Sequence, residues 1–178
     1  MKNSILIACF AMLPLAAQEL KLPPNIEKLA AKAEEVVDVT MDGALLQLAA
    51  RFLSDKDPDE ARVKKLVAGL KGIYVKSFEF ENKGEYQDSD LEPLRAQLHS
   101  PGWSRIVGVR SKKSGDNAEV YLKSENGGFS GLAIISAEPR ELTIVQIIGP
   151  LQPEDLRDLG GRWGIPKIDL GRKPGKED

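Results

Sequence analysis

The spacing of apolar residues alternates between a helical and a strand-like period along the first half of the chain. Apolar residues recur at positions 63, 66, 67 and 70, which is the i, i+3, i+4, i+7 spacing of a helix with one buried face. The β-branched segment 36–41 has a period of two instead, which predicts a strand. The same reasoning predicts further helices over 25–33, 42–53, 90–98 and 152–159, and a strand over 72–80.

Short polar residues mark where two of these helices begin. Asp42 and Asp57 each precede a helical pattern, and aspartate is a preferred residue at the N-cap. Pro58 follows Asp57 at the first helical position, where the missing N–H of proline costs no hydrogen bond. We therefore expect sharply defined helix starts at both aspartates.

The second half of the chain predicts an antiparallel meander. Asn126-Gly127 lies between two alternating apolar runs, which is the strongest local signal for a β-hairpin. The run that follows is apolar on both faces apart from Ser130, so this strand is expected in the centre of a sheet. Short polar links join four such strands, over 103–112, 118–125, 129–137 and 142–148.

The order of these elements predicts an α+β fold. We expect a mainly antiparallel sheet of about six strands, which includes the C-terminal four-stranded meander, with helices covering one face. The apolar phase changes within the 72–80 strand, which indicates either a bulge near Lys76-Ser77 or burial on both faces. A single domain over 18–170 and a polar, disordered tail over 171–178 complete the expected organisation.

The first seventeen residues have the pattern of a secretory signal peptide. Lys2 is followed by an apolar segment over 4–15, and Leu15-Ala16-Ala17 supplies small residues before Gln18. The apolar segment is shorter than the roughly 18 residues that cross a bilayer as a helix. We expect cleavage before Gln18 and a mature protein in the periplasm or outside the cell.

Cys9 allows an alternative in which the chain is a membrane-anchored lipoprotein. Leu6-Ile7-Ala8-Cys9 fits the letters of a lipoprotein cleavage site. That cleavage would leave only residues 3–8 to serve as the n-region and the apolar h-region together, and the apolar run continues beyond Cys9. We therefore expect no lipid anchor and a mature chain without cysteine.

The charge distribution points away from nucleic acids, and the later apolar runs are too short to cross a membrane. The chain has 25 basic and 27 acidic residues and a net charge of −2, whereas a nucleic-acid partner calls for a clustered basic surface. Arg110, Lys112 and Lys113 form the longest basic cluster, which we interpret as a solvated hairpin tip. No later apolar run reaches membrane-spanning length, so no transmembrane helix is expected in the mature chain.

Metal and cofactor sites find little support in the sequence. The chain has one His and one Cys, whereas zinc sites use several such ligands. Asp55, Asp57 and Asp59 have the rhythm of a calcium loop, but Glu60 and Leu66 occupy the positions that require Gly and Glu. These aspartates are expected to serve a helix N-terminus, and we assign no metal, cofactor or phosphate-binding residues.

Candidate catalytic residues are similarly few. Ser130 lies in a near match to a nucleophile elbow, but the spacing to the second Gly is wrong and a strand follows. His99 is expected at a helix C-terminus, where the backbone dipole favours a partly exposed His. Trp103 and Trp163 are expected to be buried rather than to stack on a ligand. We assign no catalytic residue. A pair of carboxylates for glycoside hydrolysis is kept as an alternative, because the chain has many acidic residues.

Two segments give the chain a family resemblance. Residues 72–80 (GIYVKSFEF) and 143–151 (TIVQIIGPL), the latter followed by Glu154-Asp155-Leu156 and Leu159, resemble a bacterial exported family, domain of unknown function 4252. The resemblance extends over about 20–159. It implies export, often as lipoproteins, and in some cases gene neighbourhoods with sigma-factor and anti-sigma genes. It implies no catalytic residues.

These observations favour an exported, non-enzymatic binding or interaction module of the bacterial cell envelope, with a link to sigma/anti-sigma signalling. The partner is then an envelope protein or ligand of unknown identity. The alternatives are a carboxylate-dependent envelope hydrolase or carbohydrate-active enzyme, and a passive structural protein. A deep cleft that holds two carboxyls of raised pKa favours the enzyme, and a flat surface with an exposed apolar patch favours the binding module.

Overall fold

A six-stranded antiparallel sheet organises residues 20–152, the part of the chain that the computed structural model describes. The predicted signal peptide with Cys9, the predicted last helix, Trp163 and the predicted tail lie outside these residues. The elements follow in chain order: α1 (Pro24–Glu27), a 3-10 turn (Lys28–Ala31), β1 (Glu35–Asp42), α2 (Gly43–Ala50), α3 (Pro58–Gly69), β2 (Gly72–Glu79), a second 3-10 turn (Asp88–Leu91), α4 (Glu92–Leu98), β3 (Trp103–Arg110), β4 (Asn117–Glu125), β5 (Gly128–Glu138) and β6 (Glu141–Leu151).

The strands have the order β1-β2-β6-β5-β4-β3, and every neighbouring pair is antiparallel. The predicted α+β class, the six strands and the four-stranded meander are therefore confirmed. In the β4–β5 hairpin Asn126 and Gly127 both have positive φ, 51° and 79°, which suits the turn that this dipeptide predicts. β5 and β6 lie in the centre of the sheet, as the apolar character of β5 requires.

The predicted helix starts are also confirmed. The Asp42 carboxylate accepts from the Leu45 N–H at 2.9 Å, and the Asp57 carboxylate accepts from the N–H groups of Asp59 and Glu60. These bonds satisfy N–H groups that have no partner within the helix. None of the helices in residues 20–152 is both long enough and apolar enough to cross a bilayer.

The phase change in β2 comes from burial on both faces and not from a bulge. All eight residues of β2 pair in continuous register with β1 on one side and with β6 on the other. Phe78 and Phe80 belong to one hydrophobic core, whereas Ile73 and Val75 pack against a second core on the other face. Of the two alternatives that the pattern allows, the structure shows the second.

The expectation that helices cover one face of the sheet needs correction, because helices pack on both faces. α1, α4 and the 3-10 turns bury one face, and α2 and α3 pack against the other. The physical reason lies in the inner strands. Four successive residues of β5, from Leu132 to Ile135, are at most 2% exposed. Their side chains alternate between the two faces, so apolar surface has to be covered on both sides.

Candidate functional site

A groove of about 510 Å³ opens at one end of the sheet. The β3–β4 turn, the β5–β6 turn and the loop before the second 3-10 turn surround it, and Gly115 makes this arrangement possible. Gly115 has φ of +88°, and a Cβ atom there would lie 3.0 Å from the Pro139 side chain. The polar side chains that line the groove are Tyr86, Asp88, Arg110, Ser111, Lys112, Asn117 and Glu138.

Tyr86 fixes one side of this groove. Its ring stacks on Phe80 with 5.3 Å between the ring centroids. Its hydroxyl is hydrogen-bonded to the backbone carbonyl of Glu138 and lies 3.0 Å from that of Glu141. Burial, together with the nearby Glu138 carboxylate, raises the pKa of Tyr86 well above its ordinary range. The hydroxyl is therefore neutral, and its proton is already bound to the β5–β6 turn.

Asp88 is held by arginines. Its Oδ1 atom lies 2.7 Å from Arg95 Nη2, and its Oδ2 atom lies 3.7 Å from Arg110 Nη2. The hydrogen bond from Arg95 lowers the pKa of Asp88, and Arg110 and Asn117 lower it further. The carboxylate is thus ionised at neutral pH, and Arg95 holds its Oδ1 atom.

Arg95 continues this network into the protein interior. Arg95 and Glu119 are only 7% and 6% exposed, and two guanidinium nitrogens lie 2.8 and 2.7 Å from Glu119 Oε1. The Tyr121 hydroxyl donates to Glu119 Oε2 at 2.5 Å. Burial and this hydrogen bond raise the pKa of Tyr121 to about 12. Because Arg95 lies on α4 and Glu119 on β4, the network joins the helix to the sheet.

The remaining charges of the groove face solvent. Arg110 and Lys112 are exposed on the β3–β4 side, and Glu138 is exposed on the β5–β6 turn. Partial burial, and repulsion from Glu141 and Asp116, raise the pKa of Glu138. The groove thus offers cationic groups on one side and a carboxyl group on the other.

The candidate catalytic residues of the sequence do not come together at this groove. His99 is exposed at the C-terminal end of α4, as expected, and its backbone N–H donates to the Arg95 carbonyl. Ser130 lies within β5, and in the described part of the chain its buried hydroxyl has no hydrogen-bond partner. Trp103 is half-buried and packs against the core that contains α4. Ser130 and Trp103 are therefore residues of the sheet strands β5 and β3.

Two aspartates near α3 have structural contacts through their carboxylates. Asp57 caps the helix, and Asp55 forms an ion pair with Lys64 at 2.7 Å. Across residues 20–152, no group of three or more His, Cys, Asp or Glu side chains is arranged to hold a metal ion.

The groove residues were missed by the sequence analysis, apart from the basic cluster. Arg110 and Lys112 are exposed as predicted, but the hairpin that carries them also forms a wall of the groove. Tyr86 and Glu138 are 52 residues apart in the chain. No local spacing signals that they meet, and glutamate and tyrosine singly are common surface residues.

The fold and the groove define an α+β domain with an antiparallel sheet, helices on both faces and a charged groove at one end. A family model for DUF4252, a domain of unknown function, matches residues 29–159. The match covers more than half of the chain, and the chain belongs to this family. The family resemblance of the two strand segments is therefore confirmed. A comparison with curated proteins gives no match.

Proposed function

We propose that this protein is an exported, non-enzymatic binding module of the bacterial cell envelope, and that it binds its partner in the groove. The observation that carries this proposal is the state of the polar groups in the groove. The Tyr86 hydroxyl is bound to backbone carbonyls, and Asp88 is bound to Arg95 and Arg110. A hydroxyl of raised pKa whose proton is bound to a backbone carbonyl, and a carboxyl of lowered pKa, are both poorly matched to proton transfer at neutral pH.

The groove suits a polar partner of mixed charge. Arg110 and Lys112 can bind carboxylate or phosphate groups, and Glu138 can accept from an amine or amide. This combination fits an extended segment of an envelope protein better than a nucleic acid, which would be repelled by the carboxylates. The partner on this proposal is therefore a peptide segment or a small zwitterionic ligand.

The location belongs to the same proposal. The charged, apolar and small-residue order of residues 1–17 supports export to the periplasm or medium. The sigma/anti-sigma neighbourhoods that the resemblance implies support a role in envelope signalling. On this proposal the domain binds an envelope component, and a signalling protein responds to whether the domain is bound or free.

The carboxylate-dependent hydrolase is the alternative, and the groove supports it less well. That alternative expects two carboxyls of raised pKa in one cleft. In this groove the pKa of Glu138 is raised, but the pKa of Asp88 is lowered by its arginine contacts. Asp88 therefore lacks the property that a general acid requires at neutral pH.

Site-specific photocrosslinking in cells tests the binding module. A photoreactive residue replaces Lys112 in the groove, and a matched control replaces Glu125, which is exposed in the hairpin at the other end of β4. We expect a defined adduct from position 112 only. Arg110→Glu should abolish the adduct and lower the thermal midpoint of the purified protein only slightly, because its ion pair with Asp88 is exposed.

Complementation of a deletion strain distinguishes the binding module from the hydrolase. We expect Glu138→Gln to restore the wild-type phenotype at least in part, because binding groups around it persist. Loss of complementation by a folded Glu138→Gln variant that still forms the position 112 adduct would contradict the proposal. That result would show that the groove needs a titrating carboxyl and would favour the hydrolase.

A further inference from the structure

The two edges of the sheet differ in how far they are protected. Within residues 20–152, β1 and β3 are the outermost strands. β3 is interrupted by an irregularity in register at Ile106, and the Arg105 side chain lies against Gly108. A bulge is one of the devices by which proteins block pairing at a sheet edge. β1, in contrast, pairs with β2 over all eight of its residues in continuous register.

The hydrogen-bond alternation shows which groups of β1 point outward. The Phe80 N–H donates to the Arg140 carbonyl at 2.8 Å, next to the β2–β6 ladder. In antiparallel strands the backbone groups of successive residues point to opposite sides. Even-numbered residues of β2 therefore bond to β6 and odd-numbered residues to β1. By the register with β2, Val36, Asp38 and Thr40 direct their N–H and C=O groups away from the sheet.

The side chains of β1 suit pairing with another strand. Val36 and Val37 are 38% and 41% exposed on opposite faces, and β-branched residues favour cross-strand contacts. Residues 34–42 contain four acidic residues and no lysine or arginine. One of these acids, Asp38, pairs with Lys76 of β2. Among residues 20–152, the β1 edge thus combines backbone groups without a partner strand, exposed apolar side chains and net negative charge.

We propose that β1 binds an extended, basic segment of a partner protein as a seventh strand of the sheet. The backbone groups of Val36, Asp38 and Thr40 supply the main hydrogen bonds, as in other cases where a peptide adds to a sheet edge. The charge selects the partner, because lysine or arginine opposite the acids of β1 is favourable. A second copy of β1 would bring four further acidic residues to the same edge. This surface is independent of the groove.

Peptide binding to the mature protein tests this proposal. The probe is a fluorescent eight-residue peptide of alternating lysine and valine, capped at both ends, and the measurement is fluorescence anisotropy. We compare Thr40→Pro, which removes one outward N–H group, with Thr40→Ala, which keeps it and has the same charge. We expect Thr40→Ala to bind within about twofold of wild type and Thr40→Pro to bind at least about tenfold more weakly.

Two controls separate strand addition from simple charge attraction. A peptide of the same composition, with four lysines followed by four valines, cannot place its charges and apolar groups on alternate faces and should bind at least about tenfold more weakly. In the wild-type protein, hydrogen exchange at the Val36, Asp38 and Thr40 amides should slow when the alternating peptide binds. This measurement needs no variant, so it decides the question even if Thr40→Pro fails to fold.

Several results would overturn the proposal. These are no binding of the alternating peptide, equal binding of the two peptides, or no change in exchange at the three amides. A wild-type dimer that Thr40→Pro dissociates, with no displacement by the peptide, would instead assign the edge to a second copy of the chain.

Discussion

Replacing Arg95 by methionine is the sharpest test of the charge network beneath the groove. Methionine keeps an unbranched apolar side chain at this buried position but removes every N–H donor. Glu119 then keeps the hydrogen bond from Tyr121 and loses both contacts with Arg95. Arg105 is 3.8 Å away and largely exposed, so it compensates little. The substitution thus leaves a carboxylate in the interior without its main cation.

The size of the effect follows from the burial of the partners. Removing one member of a buried ion pair costs about 3–5 kcal/mol, because the remaining charge is uncompensated. The other partners of Arg95 are Asp88 and Glu92, whose side chains are 54% and 66% exposed. Ion pairs with groups that are this exposed contribute at most about 1 kcal/mol each. We therefore expect Arg95→Met to lower the free energy of unfolding by about 3–5 kcal/mol, mostly through Glu119.

A double variant identifies the stranded charge as the cause. In Arg95→Met/Glu119→Gln the amide is neutral and still offers an acceptor to Tyr121, so we expect the loss to fall to about 1–2 kcal/mol. The assay is urea unfolding of the four proteins of the cycle, followed by circular dichroism. A loss below about 1 kcal/mol for Arg95→Met, or a double variant that is no more stable than Arg95→Met, would refute this account of the network.

Three further predictions follow from the structure. Gly127→Val should lower the free energy of unfolding by about 1–2 kcal/mol, because φ is +79° and the open space around a Cβ there leaves backbone strain as the only cost; an unchanged urea midpoint would contradict this. Glu138→Gln should stabilise the protein by a few tenths of a kcal/mol at pH 7 and not at about pH 3.5. The raised pKa means that ionised Glu138 is disfavoured in the folded state, so the cost exists above the folded-state pKa and vanishes once both states are protonated; thermal midpoints at the two pH values check it. EDTA should leave the thermal midpoint unchanged, whereas a drop that calcium reverses would restore the calcium loop at Asp55, Asp57 and Asp59.

Features that depend on neighbouring residues could be predicted from the sequence. Asp57 caps α3 and Asn126-Gly127 forms the hairpin turn, because each acts within three or four positions of itself. The six strands and the meander follow from the same local signals and from short links. The family could be recognised because its two strand segments are each continuous in the chain.

Features that depend on residues far apart in the chain could not be predicted from the sequence. The apolar character of both faces of β5 indicates a central strand, but it does not show which helices cover which face. The sequence-based prediction therefore placed the helices on one face only, which is wrong. The groove combines Tyr86 with a turn that is more than fifty residues away. The ion pair of Arg95 and Glu119 joins residues 24 positions apart. Each residue alone has an ordinary surface role, so only the tertiary structure reveals the network.

The two proposed binding surfaces lie at the periphery of the sheet. Helices bury apolar residues on both faces of the sheet, and the proposals use the groove at its end and the edge strand β1. Arg110 of the groove lies on β3 and Thr40 on β1, with four strands between them. Substitutions at such separated sites are expected to act independently. If Arg110→Glu abolishes the groove adduct and leaves peptide binding intact, while Thr40→Pro does the reverse, one domain has two partners. A protein that passes a signal from one envelope component to another requires two such independent binding surfaces.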